Sequence, residues 1–222
     1  MKYRDKIVQY FDSLPQDAVV SANELYSENF SKMTQSAFFK AMERLVHDKT
    51  LVRISKGMYA KSYGKDEQIL NYYFGENNAN GMYIGYKLYV KYGITDVTDK
   101  NIELYSNICA KASTTIGNIR IKRIPVELNF ENTKVIEALE ILKNYNSIEG
   151  LNKTKFARYA RQFALSYNDE AAVYVLKNVH YKKCTIAFLK KIVDMYKQEN
   201  TLQQFLSYAS DYKVPPVQRV AR

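Results

Sequence analysis

The chain has 222 residues and carries 33 Lys+Arg against 23 Asp+Glu, a formal net charge of +10. That length suits one large domain or two smaller ones, and 46% hydrophobic with 25% charged residues excludes a disordered or fibrous chain and allows a buried core. No window reaches the ~18 consecutive apolar residues of a membrane span, and the opening "MKYRDKIVQYFDSLP" is charged throughout, so neither a signal peptide nor membrane association is expected. The cationic surplus favours polyanions, nucleic acid ahead of an anionic membrane, with a solubility charge as the competing explanation. The two cysteines, Cys109 and Cys184, lie far apart in a chain too long to need a disulfide staple, which makes a reducing cytoplasm the expected setting.

In chain order, Ile7, Val8, Phe11 and Leu14 have helical spacing, and Pro15 closes that helix. Val19 and Val20 suit a short strand. Ser21 with Glu24 three residues on is a capping-box pattern and starts a short helix over about 22–28. Ser31 or Thr34 can cap a third helix running to about Asp48. On that helix Phe38, Phe39, Ala41, Met42, Leu45 and Val46 share one arc, with Ser36, Lys40, Arg44 and His47 opposite. "LVRIS" and "GMYAK" then alternate as strands around a bend at Lys56-Gly57. Helix, short strand, helix, helix and hairpin is the plan of a winged helix-turn-helix, which sets its third helix in the major groove and its hairpin on the flanking backbone.

"KSYGK" around Gly64 reads as a linker, and a helix follows from Asp66 ("DEQILNYYF"). Residues 77–81 ("NNANG") are turn-forming. "GMYIGYKLYVKYGIT" carries Ile84, Leu88, Tyr89 and Tyr92 at helical spacing, with Gly93 as the C-terminal stop. "NIELYSNI" and "GNIRIKRIPVEL" change to strand period, with Ile119, Ile121 and Ile124 on the buried side and Arg120, Lys122 and Arg123 on the open side. From Asn132 the chain reads as successive helices: a strongly amphipathic "TKVIEALEILKNY", then "NKTKFARYARQFAL", "DEAAVYVLKNV", "CTIAFLKKIVDMYKQ" and "LQQFLSYASDY". An extended or mobile tail, "KVPPVQRVAR", closes it. The expected fold class is α+β, mostly α. A winged helix-turn-helix over 1–64 is followed by a C-terminal domain over 65–222, mixed α/β to residue 130 and helical from 131.

Motifs for catalysis are scarce. No phosphate-binding glycine loop and no C-x-x-C occurs, and His47 and His180 are too few to build a zinc site. Cys184 and His180 stand one helical turn apart but lack a third partner, so a small buried cysteine is the better reading. Asp96, Asp99 and Glu103, with Lys122 later, are a carboxylate grouping that a metal-dependent nuclease could use, and the local "GITDVTDKNIE" reads better as turn chemistry. No enzyme, metal or cofactor is expected.

Nucleic-acid chemistry is better served. Thr34, Gln35 and Ser36 at the start of the third helix can reach base edges. Lys40 and Arg44 can reach bases or phosphates, and Arg53 and Lys56 on the hairpin can contact backbone. Glu43 and Asp48 repel phosphate and must point aside. Charge is uneven: residues 1–64 carry 10 basic and 7 acidic groups, whereas 131–222 carry 15 and 9. Lys153, Arg158, Arg161, Lys182, Lys183, Lys190 and Lys191 are therefore a candidate second phosphate-binding surface, weighed against a merely solvated face. A protein-binding adaptor, or a transcriptional regulator without a toxin partner, remains the alternative to the DNA reading, with the nuclease third.

The N-terminal module ending in "LVRISKGMYAK", then "YIGYKLYVKYGIT", then "GNIRIKRIPVEL", resembles the AbiEi-type antitoxins of bacterial abortive-infection systems over about residues 1–145. Ile84, Gly85, Leu88, Gly93, Ile94 and Thr95 match the outline of that family's middle helix, with Ile94 where Leu is more usual. The resemblance implies a phage-defence protein that binds inverted repeats in its own promoter and represses its operon. It also implies antagonism of a nucleotidyltransferase-like toxin without a stable complex, by a monomer or weak dimer cooperative on DNA.

Overall fold

The described residues up to Lys61 build three helices against a small sheet. In the computed structural model, which describes residues 3–15, 18–61, 65–98, 101–208 and 210–219, helix α1 (Tyr3–Asp12) buries Ile7 and Phe11, one turn apart. Strand β1 (Val20–Ser21) runs straight into α2 (Ala22–Asn29), and the Ser21 hydroxyl accepts the Glu24 N–H at 3.4 Å as the cap. Helix α3 (Gln35–His47) follows, then β2 (Leu51–Ser55) and β3 (Met58–Lys61). Gly57 takes φ +79° at the turn, a left-handed conformation that glycine adopts without steric cost. The strands form an antiparallel sheet in the order β1-β3-β2.

The β2–β3 hairpin has two apolar faces, because strand side chains alternate. Leu51 and Tyr59 join Ile7, Phe11, Leu25, Phe38, Met42 and Leu45 in the first core. Val52, Ile54 and Ala60 point the other way and join Ile69, Tyr73, Leu104, Ile119 and Ile121 in a second core. The Tyr73 hydroxyl donates to the buried Ile54 carbonyl at 3.0 Å, and Tyr72 meets Ser55 at 3.2 Å. The hairpin is thus a wall common to both cores. The expected linker centre, residues 62–64, lies outside the described residues.

Helix α4 (Lys65–Phe74) leads to a second sheet of β4 (Gly81–Ile84), β5 (Ile102–Ser106), β6 (Ser113–Ile116) and β7 (Ile119–Arg123), in the order β4-β5-β7-β6 with β5 and β7 parallel. Two expectations are corrected here. Residues 81–84 are strand rather than the start of a helix, and the helix there, α5 (Tyr86–Lys91), is short. Gly85 at φ +61° breaks the chain between them, and pairing with β5 outweighs the helical spacing of Ile84 and Leu88. Its end is as expected: Gly93 at φ +63° follows the last turn, with its N–H on Val90 and that of Ile94 on Tyr89. The second correction is β6, for which no strand was expected. Its "STTI" has one apolar residue in four and forms because Gly117, at φ +63°, turns it onto β7.

The remainder is helical: α6 (Phe130–Asn144), α7 (Lys153–Leu165), α8 (Asp169–Asn178) and α9 (Lys183–Met195). Helix α6 is central rather than amphipathic, since every residue from Val135 to Leu142 is buried beneath the sheet and the later helices. Its two buried carboxylates are neutralised locally. Glu137 accepts from Lys91 at 2.6 Å and from the Tyr92 hydroxyl at 2.5 Å. Glu140 accepts from the Tyr105 hydroxyl at 2.9 Å and from Lys143 at 3.1 Å. Among the described residues of "LQQFLSYASDY" the helix is a single 3-10 turn, Leu202–Phe205, whose Leu202 is fully buried against α9. The architecture is α+β and mostly helical. No helix among the described residues is long and apolar enough to cross a membrane.

Candidate nucleic-acid interface

The phase of α3 is set by its apolar side. Phe38, Met42 and Leu45 are fully buried, and the Phe38 ring sits 5.4 Å from Tyr26 and 5.5 Å from Phe30. With those three turned inward at 100° per residue, Ser36, Lys40, Arg44 and His47 must face solvent, and all four are exposed. Thr34 stands at the N-cap but makes no capping bond with its side chain. Its hydroxyl, with exposed Gln35 and Ser36, is open at the helix start. Lys40 and Arg44 make no ion pair among the described residues.

Arg53 follows from the hairpin's alternation. It lies on the same face as Leu51 and Tyr59, so at the tip it looks back toward α3. The ladder slips between Arg53 and Ser55, and the guanidinium Nε donates to the Ser55 carbonyl at 3.3 Å across that irregularity. Lys56 is exposed at the turn, which is pinned to α2 by the Ala22 N–H on the Gly57 carbonyl at 2.8 Å. Between α3 and the hairpin lies a hollow of about 510 Å³ lined by Asn23, Phe39, Glu43, Arg53, Lys56 and Tyr59. Of these, Phe39 is expected on the buried arc of α3 but stands at the wall of the hollow, half-buried, and Asn23 is not among the sequence candidates. The capping box that puts Asn23 in the first turn of α2 was the signal available for it.

The two acidic groups on α3 behave differently. Asp48 is turned aside, held by Arg4 at 2.9 Å and by the His47 ring at 3.4 Å. Glu43 is not turned aside: it lines the hollow opposite Arg53 and Lys56.

The C-terminal cations are only partly available. Lys183 donates to Ser207 at 2.7 Å and Lys190 is tied to Asp194 at 2.6 Å. Lys153, at the first turn of α7, lines a separate hollow of about 520 Å³ with Lys213 and the Val214–Pro216 stretch of the tail. Arg158, Lys182 and Lys191 are exposed and Arg161 is half-buried.

Cys184 is exposed, not buried as expected, because it sits at the second position of α9 on its solvent side; Cys109 is the buried thiol. Of the candidate nuclease carboxylates, Asp96 is exposed and Glu103 is engaged by Lys122 at 3.3 Å and Arg120 at 3.6 Å. Asp99 lies outside the described residues. No three His, Cys, Asp or Glu side chains converge as metal ligands among the described residues. The buried Glu137 was also missed. It sits where two clefts, of about 330 and 820 Å³, meet. Burial first, and then the bond to Glu137, raises the Tyr92 hydroxyl above its ordinary range.

The chain matches no family model, and no curated protein matches it. Among solved structures it is similar to the crystal structure of the RV2827C protein from Mycobacterium tuberculosis, at 13% identity and a TM-score of 0.47, over 87% of this chain and 77% of that one.

Proposed function

We propose that the chain is a non-catalytic DNA-binding autorepressor of the antitoxin type, acting in the cytoplasm through a winged helix-turn-helix in residues 1–64. The observation that carries this reading is the exposed Ser36–Lys40–Arg44 arc of α3 beside a hairpin that aims Arg53 and Lys56 across an open hollow. A helix about 10–12 Å across fits a major groove about 12 Å wide. With α3 docked there, Thr34, Gln35 and Ser36 meet base edges, and Lys40 and Arg44 meet phosphate or bases. The sugar-phosphate strand then runs through the hollow past Arg53 and Lys56. Inverted repeats require two copies, bound side by side and cooperatively.

The antitoxin half rests on the likeness of "YIGYKLYVKYGIT" and "GNIRIKRIPVEL" to the AbiEi-type family. On that likeness, residues 65–222 antagonise a nucleotidyltransferase-like toxin without forming a stable complex. One observation favours the rival adaptor reading: the bare carboxylate of Glu43 on the face offered to DNA. An adaptor would bind no DNA in a salt-sensitive way.

The test is a mobility shift on the DNA upstream of the protein's own gene, against scrambled DNA, at two salt concentrations. Growth rescue from an adjacent toxin gene is the second assay. Specific binding that weakens with salt supports the repressor, and rescue supports the antitoxin. No preference for upstream DNA removes autoregulation.

A further inference from the structure

Glu43 is hard to reconcile with a surface that meets only phosphate. Ser36, Lys40, Glu43 and His47 follow the i, i+4, i+7, i+11 pattern, fall within an arc of about 60° on α3, and are all exposed. Two other acidic groups of this half are paired, Asp48 with Arg4 and Asp12 with Lys61. Glu43 has no cation or hydrogen-bond partner among the described residues, although it lines the same hollow as Arg53 and Lys56. A carboxylate that enters the groove unpaired loses its water without compensation unless the DNA supplies a donor.

The major groove exposes only two kinds of donor, the N4 amine of cytosine and the N6 amine of adenine. Adenine N6 sits beside the N7 acceptor of the same base, which repels a carboxylate, whereas cytosine offers its amine without an acceptor on its own edge. From this, and resting on the DNA-binding reading above, we infer that Glu43 is a specificity-determining residue that accepts from cytosine N4. It fixes one C·G pair about 10 Å along the helix from the bases met by Ser36. Arg53 and Lys56, across the hollow, hold the adjoining strand and offset the carboxylate's repulsion of its phosphates.

Selection of binding sites from a randomised duplex pool tests this, using the full chain as wild type, Glu43→Ala and Glu43→Gln. Glu43 is exposed, so unchanged thermal unfolding is the fold control for both variants. The wild type is expected to enrich one invariant cytosine that Glu43→Ala no longer selects, with discrimination at that pair falling about tenfold and binding to random duplex rising. Glu43→Gln is expected to replace the cytosine by adenine at that position alone, since glutamine pairs with N6 and N7 together. If all three proteins select the same sequence, Glu43 reads nothing and the inference is overturned while DNA binding stands. If the wild type binds no duplex in a salt-sensitive way, the DNA-binding reading falls and takes this inference with it.

Discussion

Replacing Lys40 and Arg44 together by alanine removes two cations that are exposed and free of ion pairs among the described residues, so it leaves the core of α3 untouched. The effect therefore belongs to binding alone. Each phosphate contact on duplex DNA contributes about 0.9 to the slope of log affinity against log salt. Losing both lowers that slope by about 1.8. Over a fourfold rise in salt, from about 50 to about 200 mM, the gap between wild type and variant should then close by about tenfold. The assay is fluorescence anisotropy on a labelled upstream duplex across a salt series, with circular dichroism as the fold control. A slope reduced by only about 0.9 would assign one of the two cations to a base edge. Parallel slopes and equal affinities in a folded variant would refute the docking of α3 altogether.

Three further outcomes concern the scaffold. Phe38→Ala empties the centre of the first core, where the ring meets Tyr26 and Phe30, and should cost about 3–5 kcal/mol in a urea titration. Tyr73→Phe leaves the buried Ile54 carbonyl without its donor. It should cost about 1–3 kcal/mol, with faster amide exchange across the β2–β3 hairpin as the local signature. Asp169 is subject to burial, which by itself raises its pKa, but hydrogen bonds from the Thr201 N–H and hydroxyl and from the Tyr167 hydroxyl outweigh it and lower the carboxyl overall. A group whose folded pKa is depressed contributes stability above its unfolded pKa and loses it as pH falls through the folded value. Asp169→Asn should thus destabilise near neutrality and flatten the acid limb of the urea midpoint against pH, and an unchanged acid limb would contradict that account.

How far the sequence carried depended on whether the deciding signal was local. Pro15, the Ser21–Glu24 cap and Gly57 act within one turn of chain, so the early elements fall where those residues put them. The phase of α3 was likewise legible, because Phe38, Met42 and Leu45 impose it whatever lies beyond. Residues 81–84 were not legible as strand: Ile84 and Leu88 suit either period, and pairing with a strand some twenty residues later settles the matter. Nor could the sequence place Glu137 and Glu140 inside, since burial there depends on Lys91, Tyr92 and Tyr105 arriving from other elements. The expectation that Glu43 points aside fails for the same reason. Its place beside the hollow depends on where the hairpin folds back, and α3 alone does not encode that.

The double-faced hairpin bears on how this protein can be dissected. Cutting the chain after residue 64 to isolate the amino-terminal half would strip α4 and the second sheet from Val52, Ile54 and Ala60, leaving an apolar ribbon open to water. Such a fragment would self-associate, and any dimer it formed on DNA would be an artefact of the cut. The intact chain should instead melt in one cooperative step, since neither half can release the hairpin without unroofing the other.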